Sequence, residues 1–330
     1  MLDYFNIKSP RVIAFYISLL LCSINSTVSA QNYPSQPIQF IVPQTAGGGS
    51  DLLARVVAQK LGEKWNQSII IQNRPGAGGN LGTSFVANAK PDGYTWVLGF
   101  VGSQAINPSL YKNLTWDPVK DFTPLATLAT IPYVIVVNKD VPVKNLQELI
   151  ALAKKQPGEI NFGSGGNGTL NHLYGAMLAS QAKINIPHIP YRGVEPAMTD
   201  LIGGRIQIIF GTIPSSIGHI RSGAVRAIAV INPQRSPLLA DVPTVGEAGI
   251  SGFEQPPWFG ILGPAGIPKN VVEKINRDIN SLLSQKELID KFAELGIRPF
   301  AQTPIQFVDI LEKDIEKWHK VIEQSGATIN

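Results

Sequence analysis

Three times along this chain a short apolar run ends in a cluster of glycines and then gives way to apolar residues at helical spacing. The first run is Ile38-Gln39-Phe40-Ile41-Val42, followed by Pro43 to Ser50 and then by Leu52, Leu53, Val56, Val57 and Leu61. The second is Ser68 to Gln72, ending in Asn73-Arg74-Pro75-Gly76-Ala77-Gly78-Gly79 before a helix over 81–89. The third is Ile160-Asn161-Phe162, which leads into Gly163-Ser164-Gly165-Gly166-Asn167-Gly168 and a helix over 169–181. Strand, glycine turn and helix at this spacing predict parallel β-α-β units and an α/β fold. Glycine lets backbone approach a ligand, and a helix N-terminus offers unpaired N–H groups to an anion. The same residues would also serve a plain tight turn with Ser50 or Asp51 as the helix cap.

Further strands are expected over 94–100, 131–137, 206–210 and 224–230, and helices over 145–155 and 197–202. A long helix begins at Pro268, and a last one is capped by Thr303, with Gln306 completing a capping box. Ile310, Leu311, Ile315, Trp318 and Ile322 form the apolar stripe of that last helix. A chain of 330 residues accommodates two domains of roughly 150 residues each. With no linker in sight, two domains would require the chain to cross between them more than once.

Composition narrows the function. A net charge of +4, evenly spread, creates no field that would steer nucleic acid. Hydrophobic residues make up 44% and charged ones 16%, which excludes a disordered tail protein.

The N-terminus reads as an export signal. Lys8 and Arg11 precede the apolar run Val12 to Cys22, and Val28-Ser29-Ala30 supplies the small residues of a cleavage site. Cleavage is expected after Ala30, with 1–30 as signal peptide. The apolar run is shorter than the roughly 20 residues that span a bilayer. Cys22 is the one cysteine and lies inside this segment, so the mature chain has no thiol chemistry, Cys-based metal site or disulfide. Leu21 stands where a lipid-attachment site wants a small residue.

Catalytic patterns fit poorly. The run Gly163 to Gly168 matches G-x-G-x-x-G, but Lys183 to Pro190 lacks the acid that a dinucleotide fold needs. No phosphate-binding G-x-x-x-x-G-K-[ST] occurs. Ser164 has Phe162 where a nucleophile elbow requires glycine. The four histidines, His172, His188, His219 and His319, show no metal-ligand spacing. Asp200, Glu195, Asp241 and Glu247 are scattered, with no sign of an acid–base pair. Backbone donors without a nucleophile, metal or cofactor point to capture of a small anion. In open α/β sheets such ligands sit beyond the carboxyl ends of strands.

Several stretches carry a family resemblance. They include Tyr33-Pro34, Ile41-Val42-Pro43, Ala46-Gly47-Gly48 with Asp51, and the run Asn73-Arg74-Pro75-Gly76-Ala77-Gly78-Gly79. Pro91-Asp92-Gly93-Tyr94, Gly168-Thr169 with His172, Pro190-Tyr191-Arg192-Gly193, Val242-Pro243-Thr244 and Trp258-Phe259-Gly260 follow in order. The chain resembles, over essentially its whole mature length, the extracytoplasmic solute receptors of the tripartite tricarboxylate transporter type, the Bug family.

That resemblance implies a type II-like periplasmic binding protein of two lobes, each a mixed sheet flanked by helices, with the ligand cleft between them. Lobe one would comprise 31–132 and 231–330, and lobe two 133–230. It implies a monomer in the periplasm that hands a mono-, di- or tricarboxylate, aromatic acids included, to membrane permease subunits. It calls for no catalytic residue, cofactor or metal, and for no nucleic acid. The ligand-binding residues it implies are Thr45, Ala46, Gly47, Gly48 and Asp51 in the first loop. They continue with Gly76, Ala77, Gly78 and Asn80 in the second, then Ser103. Lobe two would add Ser164, Gly166, Asn167, Gly168, Thr169, His172, Tyr191 and Gly211. Two positions depart from the family pattern. Gln44 replaces the usual aromatic, and Gly211 stands where many members carry Asp, which argues against an amino-acid ligand. An exported hydrolase using Ser164 and His172, or a sensory protein that signals to a receptor, are the competing readings.

Overall fold

The computed structural model describes residues 33–253 and 256–325. The signal-peptide segment, with Cys22 and the cleavage expected after Ala30, lies outside the described residues.

Two mixed sheets form the framework. Among the described residues the first has six strands and the second five. In the first, β1 (Ile38–Val42) lies parallel to both β2 (Ile69–Asn73) and β3 (Thr95–Phe100). The antiparallel strands β4 (Phe122–Thr130), β10 (Trp258–Pro264) and β11 (Arg298–Pro299) complete it. In the second sheet, β6 (Phe162–Ser164) runs parallel to β7 (His188–Pro190) and β8 (Ile208–Thr212). Strand β5 (Tyr133–Asn138) pairs antiparallel with β8 and with β9 (Val225–Ile231). The first sheet thus draws on residues before 131 and after 257, and the second on 133–231.

The sequence explains these elements locally. Ile38, Phe40, Ile41 and Val42 are all fully buried, as expected of a parallel strand covered on both faces. Helix α1 (Gly49–Trp65) follows, with Leu53, Val57 and Leu61 turned inward at one-turn spacing. It stops at Asn66, which takes a left-handed φ of 50°. Helix α2 (Asn80–Ala87) follows β2, and α3 (Asn107–Leu110) follows a single π turn after β3. In the second half come α4 (Leu146–Lys155), α5 (Leu170–Ala182), α6 (Val194–Ile202) and α7 (Ile213–Arg221). Helices α8 (Lys269–Leu283), α9 (Lys286–Glu294) and α10 (Pro304–Ser325) pack the C-terminal part. Among the described residues no helix is long and apolar enough to cross a membrane.

Strands β4 and β10, which carry most of the pairing in the first sheet, are not apparent from the sequence. Thr123, Pro124, Thr127 and Thr130 interrupt any apolar run in β4, and Gly260, Gly263 and Pro264 do so in β10. Their register shifts at Phe259/Gly260 and Ile261/Leu262 break the alternation further.

The strand order places two loops in equivalent positions. Strands β2 and β3 flank β1, while β7 and β8 flank β6. Connections therefore leave in opposite directions at the carboxyl ends of β1 and β6, which is where open α/β sheets hold ligands.

Candidate ligand-binding site

A cavity lies where these carboxyl ends meet. The β1–α1 loop contributes Pro43, Gln44, Thr45, Gly48, Gly49 and Ser50, and the loop after β2 contributes Pro75, Gly76, Gly78 and Gly79. The second sheet's side supplies Tyr133, Gly165, Thr169 and Asn171, then Arg192 to Glu195, and finally Thr212 and Ser215. The cavity measures about 40 Å³, space for roughly three waters at about 10–15 Å³ each.

Three helices begin at this cavity without a side-chain cap. The N-caps are Gly48 for α1, Thr169 for α5 and Gly193 for α6, and none of the three makes a side-chain capping hydrogen bond. Capping varies among the other helices: α2, α3, α8 and α9 also lack a side-chain cap, whereas Thr212, which lines the cavity too, caps α7 by accepting from the Ser215 N–H at 3.4 Å. Asn145 accepts from the Glu148 N–H at 2.9 Å, and Thr303 from the Gln306 N–H at 3.2 Å. These ends turn first-turn donors that have no intrahelical partner, and the positive ends of three helix dipoles, toward one space.

The loop geometry is held from behind. Asp51 is almost wholly buried and lies off the cavity wall. Its carboxylate accepts from Gly47 N–H at 3.0 Å, Arg55 Nε at 2.8 Å and Asn73 Nδ2 at 2.9 Å. Burial alone would raise its pKa, but these donors and the Arg55 charge hold the carboxyl below its ordinary value. Asn73 also donates to the Gln44 carbonyl at 3.1 Å, so one acid fixes both glycine loops of the first half. Gln44 itself lines the cavity, with its side-chain carbonyl accepting from Ser50.

Close approach of backbone explains two glycines. A Cβ on Gly193 would collide with the Thr45 side chain, and one on Gly78, whose φ is +65°, would collide with the Asn167 carbonyl. Both contacts join the first sheet's loops to those of the second.

Of the residues the sequence singles out, Thr45, Gly48, Gly76, Gly78 and Thr169 line the cavity. Ala46, Gly47, Asp51, Ala77, Asn80, Ser103, Ser164, Gly166, Asn167, Gly168, His172, Tyr191 and Gly211 do not. Several of these brace the wall instead. The Thr169 hydroxyl donates to the Gly166 carbonyl at 2.7 Å. Asn80 accepts from Asn107 Nδ2 at 2.6 Å, and the fully buried Ser103 bonds the Phe100 carbonyl at 3.4 Å. Tyr191 donates to Asp200 at 2.8 Å, and burial together with that acid pushes its hydroxyl up to about 12. Gly211 faces Ser216 rather than the cavity.

Ser164 is fully buried and pairs with His188 Nε2 at 2.6 Å, not with His172. The two histidine rings stack at 4.2 Å. Burial lowers His172 to about 4, and burial with the neighbouring His172 charge lowers His188 to about 3. His172 accepts from the Gly168 N–H at 3.4 Å. This is a neutral aromatic prop beneath the third glycine loop. Among the described residues no cluster of three His, Cys, Asp or Glu could hold a metal.

The cavity wall also holds two charged residues that the sequence does not single out for the site, Arg192 and Glu195. Thr45 Oγ1 donates to Glu195 Oε2, while Oε1 is buried without a hydrogen-bond partner. Burial raises the Glu195 carboxyl more than the Thr45 bond lowers it, and the Asp51 charge adds to the rise.

The sequence profile described as the tripartite tricarboxylate transporter family receptor matches residues 53–327. Protein BugT of Bordetella pertussis is 35% identical over 314 residues, covering 95% of this chain and 96% of BugT. Among solved structures, R. palustris Rpa4515 with adipate superposes with a TM-score of 0.87 at 33% identity, covering 90% of this chain and 99% of that one. The periplasmic binding protein BugD gives a TM-score of 0.86 at 33% identity, with 90% and 99% coverage. MatC from Rhodopseudomonas palustris with bound malate gives 0.83 at 29% identity, with 88% and 100% coverage.

Proposed function

Because the chain belongs to the tripartite tricarboxylate transporter receptor family, we propose that it is a periplasmic receptor that captures a small carboxylic acid and delivers it to the membrane subunits of such a transporter. The observation that carries this reading is the convergence of three uncapped helix N-termini on one cavity. Unpaired N–H groups and helix dipoles favour a carboxylate. The adipate in Rpa4515 and the malate in MatC support the same ligand class.

Residues 31–132 with 231–330 form one lobe in this reading, and 133–230 the other. The short passage from β4 at Thr130 to β5 at Tyr133 supports a hinge there, with a second beyond Ile231. The cavity takes its walls from loops of both sheets, so closure of the lobes about this hinge would bring both sets of loops onto one ligand. The mature chain starts at Gln31 and acts as a monomer. In this reading it binds rather than converts its ligand, which accords with a Ser164 that is fully buried and engaged by His188.

The test is a thermal-shift panel on residues 31–330 at neutral pH, with mono-, di- and tricarboxylates beside sugars and nucleotides. A ligand that binds only the folded state adds about 2.7 kcal/mol at a hundred times its Kd. Acids at the head of the ranking support the reading, and a sugar or nucleotide at the head refutes it.

A further inference from the structure

Glu195 is an acid in a cavity otherwise arranged for an anion. It stands in the first turn of α6, two residues after Gly193, and reaches across to the β1–α1 loop. Gly48 has no side chain there, and a Cβ on it would sit 2.8 Å from Glu195 Oε1. The carboxylate therefore lies directly on the glycine loop. Its Oε2 is fixed by the Thr45 hydroxyl, and its Oε1 is buried without a partner. A buried acceptor left unpaired is costly, more so when it is charged. The described groups that act on Glu195 are Thr45, its own backbone and Asp51, and no cation is among them. Among the described residues, Arg192 is the cation on the cavity wall and Glu195 the acid.

We infer that the ligand carries a protonated nitrogen as well as a carboxylate, and that Glu195 Oε1 receives that nitrogen while Arg192 and the uncapped helix ends hold the carboxylate. The inference rests on the carboxylate-receptor reading and deepens it by naming the ligand as a zwitterionic acid. One acid and one base on the wall match the two charges of such a ligand. The missing Asp at Gly211 does not bear on this choice, because Gly211 lies off the cavity and an acid enters from α6 instead.

The test is calorimetry on residues 31–330 with matched pairs of ligands: aspartate and succinate, glutamate and glutarate, 6-aminohexanoate and hexanoate. Wild type is compared with Glu195→Gln, Glu195→Asp and Glu195→Ala, each with its melting temperature measured. At least one amino acid should bind more tightly than its deaminated partner. Glu195→Gln should weaken that amino acid roughly tenfold or more, as expected for a lost bond to a charged group, and leave the deaminated acid unweakened. Glu195→Asp should keep part of the preference. If the plain acids bind wild type at least as tightly and Glu195→Gln keeps or improves them, Glu195 acts as a neutral donor and the zwitterion inference is wrong. In that case the carboxylate-receptor reading survives. If no acid in any pair binds, that reading falls and this inference with it.

Discussion

The Tyr111 hydroxyl donates to the Asn167 carbonyl at 2.9 Å, joining the helix after β3 to the glycine loop after β6. The two residues lie in connections of different sheets, so in the proposed two-lobe reading the bond is made only when the lobes are closed. Replacing Tyr111 by Phe keeps the ring and removes the bond. Acid binding should weaken by roughly two- to tenfold, the equivalent of about 0.5–1.5 kcal/mol. Titration calorimetry checks this, and equal affinities would show that the bond takes no part in closure.

Gly193 makes a sharper demand. Its φ of 170° suits any residue, so Gly193→Ala introduces no backbone strain. The added methyl group meets Thr45 across the cavity. The melting temperature without ligand should change little, whereas affinity should fall by roughly tenfold or more because closure is obstructed. Small-angle scattering at saturating acid should give a larger radius for Gly193→Ala than for wild type.

The hydroxyl of Thr169 is committed to the Gly166 carbonyl at 2.7 Å. Thr169→Val should therefore act mainly on stability, with a loss of about 0.5–1.5 kcal/mol. A loss of affinity beyond tenfold with an unchanged melting temperature would instead make the hydroxyl a direct ligand contact.

The stacked His172 and His188 predict acid lability. Both have folded-state pKa values, about 4 and about 3, below the ordinary 6.5. The unfolded chain takes up their protons first as pH falls. Their contribution is complete above about 6.5 and is lost progressively toward pH 4 and below. For the buried His172 the slope approaches about 1.4 kcal/mol per pH unit. Urea titrations at intervals from pH 7 to pH 4 measure it. His172→Phe should flatten the curve.

How much of this was legible in the sequence depends on range. Glycine clusters between an apolar run and a helical spacing mark the β1, β2 and β6 loops, because strand, turn and helix are all local signals. The loops that hold Thr45, Gly48, Gly76, Gly78 and Thr169 follow from them, while the choice of these residues as ligand contacts rests on the family resemblance. Glu195 does not, since it meets Thr45 across 150 residues of chain and looks like an isolated surface acid. Similarly, His172 is nearer to Ser164 in sequence, yet the parallel pairing of β6 with β7 brings His188 to it. Asp51 shows the reverse case. It stands in a glycine loop beside the cavity, but its three donors turn it away into a scaffold.

The proposed function stands or falls with recognition of a carboxylate by this cavity. The most direct measurement is calorimetric titration of residues 31–330 with the best-binding acid and with its methyl ester at neutral pH. The ester keeps the shape but loses the charge and one strong acceptor, so its affinity should fall by roughly tenfold to a hundredfold. An ester that binds as tightly as its acid would contradict the account.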